Sequence, residues 1–433
     1  MNTRPLIDTA EPATVLSVAF NSCSNWFSAG MNHGFRVFHA PACTPVTRRD
    51  LHGGVGLAQM MDSANSTQFL ALVGGGSRPL APPNKVIIWN EDKKKDVLQI
   101  TTLSPVRGVK LGRDRVVVVL QHSVRVYRFK KPPDLIAAYD TTDNRLGLCA
   151  LSERTIAFPG RTAGQVQLVD IATGNVSIIP AHSSALRALC ISPDGELLGT
   201  ASEKGTLLRV FATANCARLA EVRRGIDPAT IFSLAFSPSG AMLACTSDKF
   251  TLHIFDVPHP TKPPRKQPAN PPPAPSQPAG TSGLPSSSSS SFPANNVSAG
   301  GAGEAGDGSK GKWGFLGRIP LMPRLFSDTY SVASAPFEGG PPAGGGDGDT
   351  GGSAPGAEAA PAPAPAPAPA AASASRPQPP SPQRGQIGWT SDTSLVVVGA
   401  GADARWEKFN ISVGDEGRLE CVREGWKRYG NVD

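Results

Sequence analysis

Apolar residues along this chain come in runs of four to six, separated by Gly, Pro, Ser and Asp, with none of the spacing of three and four that marks a helix. Val15–Phe20, Trp26 to Gly30 and Phe35 to Phe38 read as the strands of a first unit. Phe69 to Val73, Lys85 to Trp89 and Val97 to Thr101 make a second. The third holds Val106 to Leu111, Arg115 to Leu120, Val124 to Phe129 and Leu135 to Asp140, and the fourth Leu146 to Leu151, Thr155 to Phe158, Gln165 to Asp170 and Val176 to Ile179. A fifth runs from Leu186 to Val222 and a sixth from Ile231 to Val257. The seventh covers Gln386, Leu395 to Val398, Arg405 to Ile411 and Arg418 to Glu424.

The fifth and sixth units are near-copies. Ser192-Pro193-Asp194-Gly195 recurs as Ser237-Pro238-Ser239-Gly240, Ser202 as Ser247 and Thr206 as Thr251, each 45 residues on. Short strands with one Pro/Gly turn per period of that length predict an all-β, seven-bladed propeller of the WD-repeat type.

Composition divides the chain. Residues 258–385 collect the Pro, Gly, Ser and Ala excess, including the run Ser286 to Ser291 and alternating Ala-Pro from Pro361 to Ala370. Such a stretch buries too little apolar surface to offset its chain entropy. The expected organisation is blades one to six in 1–257, a disordered insertion in the sixth-blade region over 258–385, and the last blade in 386–433. The part outside the insertion suits seven blades of about 40 to 45 residues.

The chain carries 42 Lys+Arg against 35 Asp+Glu, a formal charge of +7. That balance suits an anionic partner without naming one. Seven scattered cysteines with no Cys-x-x-Cys pair predict a reducing compartment and thiols used as small core residues. The first twelve residues lack the apolar core of a signal peptide, and the longest apolar runs are strand-sized, so a soluble cytosolic protein that meets membranes at their surface is expected.

Catalytic signatures are missing. Gly74-Gly75-Gly76 is followed by Ser77-Arg78-Pro79 rather than the Lys-Ser/Thr of a phosphate loop, no His-Glu-x-x-His occurs, and the seven histidines show no metal spacing. Gly160-Arg161-Thr162-Ala163-Gly164 has the outline of a nucleophile elbow, but with Thr for Ser and no helix to follow. Neither an enzyme nor a bound metal or cofactor is expected.

One polar set stands out. Arg223 and Arg224, followed by Gly225, lie between the two copies of the repeat. Successive side chains of an extended backbone point to opposite faces, so one arginine would serve the unit before it and the other the unit after it. His182, Thr200, Ser202, Thr206 and Arg209 precede the pair; Ser247, Thr251 and His253 follow it. Each alone has a structural reading, because blades use His, Ser and Thr in buried hydrogen-bond networks. Together, planar guanidinium donors, hydroxyls and imidazoles describe a cradle for phosphate groups.

On these residues the chain resembles the PROPPINs, β-propellers that bind phosphoinositides and carry Phe/Leu-Arg-Arg-Gly, here Val222-Arg223-Arg224-Gly225. Further similar stretches are Ala71 to Gly76, Pro82 to Trp89, Arg113 to Leu120, Gly164 to Asp170, Ala201 to Thr206 and Asp248 to Phe255. They are similar to the branch with the mammalian WD-repeat phosphoinositide-interacting proteins three and four and the yeast homologue of the autophagy propeller. The resemblance implies two lipid sites on the rim for phosphatidylinositol 3-phosphate and 3,5-bisphosphate. Site one would use His182, Thr200, Ser202, Gly205, Thr206, Arg209 and Arg223; site two would use Arg224, Ser247, Thr251 and His253. Val222 departs from the family's larger residue, and Lys249-Phe250 stands where a smaller or more polar pair is common.

Within 258–385 lies an apolar-basic island, Lys312 to Phe326. Its Trp313, Phe315, Leu316, Ile319, Leu321, Met322, Leu325 and Phe326 interleave with Lys and Arg in a way that suits the headgroup boundary of an anionic membrane. Pro320 and Pro323 oppose one continuous helix there. The other reading is a segment that docks on protein.

The resemblance also implies an autophagy or vacuolar trafficking role, peripheral residence on vacuole, endosome or preautophagosomal membranes, and a monomer in solution. It implies recruitment of a bridge-like lipid-transfer protein through blades two and three, near the Lys93-Lys94-Lys95 run and the 79–83 loop, and no nucleic-acid partner. A WD-repeat scaffold that never touches lipid is the alternative; a propeller hydrolase would need a nucleophile and base that the sequence does not show.

Overall fold

A computed structural model describes residues 12–61, 68–260, 330–338, 383–414 and 417–430. These form seven sheets, each of four antiparallel strands taken in chain order. Blades one to five span 15–49, 55–101, 108–140, 150–180 and 186–223; blade six comprises 231–256 with 333–336, and blade seven 386–428. The chain folds as a seven-bladed β-propeller.

Valines explain how blades stack. Val116 and Val118 join a core with Ala71, Val73 and Ile88 of blade two, whereas Val117 and Val119 join Ile156, Phe158 and Val169 of blade four. A strand covered on both faces reads as a continuous apolar run, which is why this unit is so plain in the sequence. Outer strands lose the cover, and Leu135, Ile136, Val176 and Ile178 are exposed.

The ring closes by packing between blades seven and one. Phe27, Phe38 and Tyr429 sit in one core with Val398 and Trp406. Trp406 Nε1 donates to Ala40 O at 2.8 Å, and Gly401 N donates to Val15 O at 2.8 Å. Gly388 allows the closure, since a Cβ there would come within 2.3 Å of the Phe20 ring.

Two differences from the sequence reading matter. Thr44–Arg49 and Val55–Met60 complete blades one and two, where only three strands each are legible. The first of these is an outer strand of mostly exposed polar residues, so it lacks the apolar alternation of a half-buried strand. The second correction concerns 258–385, which is not one uninterrupted insertion. Ala333–Pro336 pairs with Thr251–Asp256 as the fourth strand of blade six, Leu252 opposite Ala335 and His253 opposite Ser334. Its Ala333 and Ala335, with Phe337, fill the core against blade seven, so small apolar residues that look like linker serve as packing.

Candidate functional site

Blade five has two faces with different company. Ala201, Leu208, Val210 and Val222 share a core with Ile231, Leu234 and Phe236 of blade six. Leu198 and Phe211 share one with Ala157, Val166 and Leu168 of blade four. The register places Thr200 opposite Arg209, Arg209 opposite Glu221, and Leu207 opposite Arg223. Cross-strand partners share a face and neighbours alternate, so Thr200, Ser202, Arg209, Glu221 and Arg223 all lie toward blade four.

There His182, on the segment that leaves blade four, places Nε2 3.0 Å from Thr200 Oγ1, which itself donates to Arg209 O at 3.3 Å. Arg209 Nε donates to Glu221 Oε2 at 2.7 Å and its Nη1 to Ala181 O. Arg218 Nη1 also reaches Glu221, at 3.1 Å. Burial pushes His182 down to about 4, with the Arg209 charge adding to the shift. The imidazole is therefore neutral at physiological pH, with one donor and one acceptor nitrogen.

Arg224 leaves the strand just after Arg223, which ends it. It is 8% exposed, and its Nε donates to Gly205 O at 2.8 Å while Nη2 donates to Asp227 O. Its charge acts on Cys245 and His253 of blade six, lowering His253 further after burial has pushed that imidazole down to about 4. Leu243, Cys245 and Phe255 face the core shared with blade five, so by the same alternation Ser247, Thr251 and His253 face blade five as well. The adjacent arginines thus serve opposite faces of blade five.

Gly205 fixes this corner. It has φ +62°, and a Cβ would stand 1.8 Å from Ala229 O. Phe250 occupies the same turn position in blade six with φ +53°, a backbone that a bulky residue seldom adopts. Its ring packs 5.8 Å from Phe337 and under the Arg384 guanidinium, turned to blade seven rather than into the polar set.

Thr206 is the sequence-derived equivalence that the structure corrects. Arg209 and His253, 44 residues apart, hold matching positions opposite Thr200 and Cys245. Blade five carries one extra residue between Gly205 and the strand Leu207–Ala212, whereas blade six starts its strand at Thr251. Thr206 is that residue, and its carbonyl accepts from Arg224 N at 2.9 Å. A one-residue slip reverses faces, so Leu207 rather than Thr206 is the structural counterpart of Thr251.

Two further residues escape the sequence reading. Glu221 puts a carboxylate on Arg209; its place two residues before Arg223 on an extended strand was a signal for the shared face. Ser331, on the returning segment of blade six, sets Oγ 3.3 Å from His253 Nδ1. Trp313, Phe315, Leu316, Ile319, Leu321, Met322, Leu325 and Phe326 lie outside the described residues. Flanking strands assign them to the connection between Thr251–Asp256 and Ala333–Pro336.

Metal-ligand side chains converge among the described residues at Asp194, Glu196 and His259. His259 sets Nε2 3.0 Å from Asp194 Oδ2 and Nδ1 3.8 Å from Glu196, so each ring nitrogen faces its own carboxylate, the arrangement of a side-chain clasp rather than of ligands around a shared ion. Burial raises Cys43, Cys149, Cys190, Cys245 and Cys421 to about 12, which leaves them as unreactive thiols.

Known proteins share this framework. The PROPPIN family model matches residues 15–276. The chain is 45% identical over 455 residues to SVP1-like protein 2 of Neurospora crassa, covering 99% of both. It is 37% identical over 251 residues to Autophagy-related protein 18e of Arabidopsis thaliana, covering 56% of this chain and 65% of that one. Among solved structures, Kluyveromyces lactis Hsv2 matches 96% of this chain and 99% of its own with a TM-score of 0.64 at 17% identity.

Proposed function

This chain belongs to the PROPPIN family, and from that premise we propose that it is a phosphoinositide-binding peripheral membrane effector that reads 3-phosphorylated inositol lipids through two notches of one rigid disc. The observation that carries the proposal is the division of Arg223 and Arg224 between opposite faces of blade five. In the notch between blades four and five, Arg223 and Arg209 supply charged donors, Thr200 and Ser202 neutral ones, and His182 a switchable one. In the notch between blades five and six, Arg224 and His253 take those roles with Ser247 and Thr251.

Guanidinium has five N–H donors in a planar fork. Arg224 spends one on Gly205 O and one on Asp227 O, which holds the plane still while the others remain for phosphate oxygens. Arg209 is held in the same way by Ala181 O and Glu221.

Each pocket alone binds weakly, and two on one disc act multivalently to lengthen residence on the membrane. The Lys312 to Phe326 island adds a third contact by entering the headgroup region of the same membrane. No helix among the described residues is long and apolar enough to cross a bilayer, in keeping with attachment from the surface.

The function is binding and recruitment rather than catalysis, in autophagy or vacuolar trafficking. A propeller of the same fold at 16% identity and a TM-score of 0.59, Atg21, is seen in complex with the coiled coil of Atg16. Here the recruited protein is a bridge-like lipid-transfer protein that docks on blades two and three, next to the exposed Lys93-Lys94-Lys95 turn.

Vesicle flotation with and without phosphatidylinositol 3-phosphate and 3,5-bisphosphate tests the reading. Wild-type protein should float only with the 3-phosphorylated lipids, and Arg223→Thr/Arg224→Thr protein should stay at the bottom. Equal flotation of both would overturn the role given to the arginine pair, and a wild type that stays at the bottom with every lipid would favour a scaffold that never touches lipid.

A further inference from the structure

The connection from blade five to blade six starts with Gly225-Ile226-Asp227-Pro228, directly after the two arginines. Ile226 is 69% exposed, and of the large apolar side chains among the described residues only Leu103 is more so. Nothing lies within 4 Å of the place where a Cβ on Gly225 would stand, so the tip projects into open space.

It is nonetheless held at both ends. Arg224 N donates to Thr206 O at 2.9 Å, its guanidinium grips the carbonyls of Gly205 and Asp227, and Ala229 N donates to Lys204 O at 3.1 Å with Ala229 itself buried. An isoleucine on a braced tip is presented outward with little freedom to fold back.

We propose that Ile226 is an apolar anchor that enters the headgroup–acyl boundary of the bilayer whose headgroups fill the two notches. The inference rests on the lipid reading above. One residue separates Ile226 from Arg224, so their Cα atoms stand within about 7 Å of each other. Apolar groups of peripheral proteins lodge about 5–10 Å into the interface. An exposed side chain this close to a phosphate-gripping arginine therefore reaches that zone whenever the notches are occupied.

The neighbouring charges favour a lipid surface over a protein groove and also limit the depth. Arg223 and Arg224 precede the tip and Lys204 is exposed on the turn beside it, which suits an anionic surface. Asp227 is exposed immediately after Ile226, and its carboxylate resists transfer into hydrocarbon. The tip accordingly rests in the interface and does not pierce the core.

The test uses the full chain with phosphatidylcholine vesicles containing or lacking phosphatidylinositol 3-phosphate, and soluble inositol 1,3-bisphosphate as a membrane-free control. Ile226→Ser should weaken association with the lipid-containing vesicles about three- to tenfold, as expected for part of an isoleucine's burial, and leave binding of the soluble headgroup unchanged. In Ile226→Trp protein, the added emission relative to wild type should be quenched by lipids brominated near the headgroup end of their chains. Wild-type flotation by Ile226→Ser together with an unquenched added tryptophan overturns the anchor while leaving the notches intact. Wild-type protein that binds neither vesicles nor soluble headgroup overturns the lipid reading and the anchor together.

Discussion

The notch between blades four and five holds its third-strand arginine with a carboxylate, whereas the notch between blades five and six holds its arginine with peptide carbonyls. Arg209 meets Glu221 at 2.7 Å; Arg224 meets Gly205 O and Asp227 O. At the position matching Arg209, blade six has His253 and blade seven has Glu407, which accepts from Glu338 N at 2.6 Å and from Arg423 at 2.9 Å. Three successive notches thus carry a countered cation, a neutral imidazole with an imported arginine, and a buried acid. Blade architecture repeats, but charge does not, and only the first two of these three notches suit an anion.

The comparison makes Gly205 the most sensitive single position, because its turn shapes both notches at once. Gly205→Ala forces a Cβ onto Ala229 O in a left-handed backbone and should cost about 3 kcal/mol or more. Chemical denaturation would show it, with headgroup binding lost in both notches. Phe250→Gly, at the equivalent turn of blade six, should alter blade six alone.

Next in size is the contrast between the two arginines. Arg224→Ala removes charged hydrogen bonds to the carbonyls of Gly205 and Asp227 from a buried side chain and should lower stability by about 2–3 kcal/mol. Arg223→Ala, half-buried at the strand end, should change the denaturation midpoint far less while still weakening binding. Equal losses of stability would contradict the added bracing role that its bonds to Gly205 O and Asp227 O give Arg224.

Acid should act on both notches together. His182 and His253 are held near 4 by burial, below the ordinary value of about 6.5. The unfolded chain therefore takes up protons first as pH falls, and stability present above about 6.5 is lost between there and about 4. A drop of about 1 kcal/mol per histidine at pH 5.5 is expected. Saturating headgroup should restore part of it, because a phosphate beside an imidazole favours the charged form. His182→Gln/His253→Gln protein should show a flatter pH profile.

The smallest effect is expected at Glu221. Removing its charge with Glu221→Gln frees Arg209 from its internal counter-ion and should tighten headgroup binding in the first notch about threefold, a value typical of a half-exposed pair. Isothermal titration at low salt would resolve it, and weakened binding would mean that Glu221 positions Arg209 instead of competing for it.

The blades were legible because buried strands write themselves as valine and leucine runs, and the division of Arg223 from Arg224 followed from alternation alone. The rest was hidden for local reasons. Thr206 and Thr251 align at 45 residues in sequence, but the extra residue after Gly205 shifts the register to 44 and turns Arg209 to the face that His253 occupies in blade six. Ala333–Pro336 was lost because a strand made of Ala, Ser and Pro between linkers carries no apolar alternation until its partner Thr251–Asp256 is known. Glu221 needed the register of a fourth strand to place it on Arg209.

The central claim is that two separate anion notches flank blade five, one served by Arg223 and the other by Arg224. Isothermal titration of soluble inositol 1,3-bisphosphate into wild-type, Arg223→Ala and Arg224→Ala proteins, with Thr251→Ala as a fold-sparing lesion of the second notch, tests it most directly. The account predicts two sites per chain in the wild type, and one in each variant, with the remaining site differing between Arg223→Ala and Thr251→Ala in its response to Glu221→Gln. A single site in the wild type, or the same site lost from both arginine variants, would contradict it.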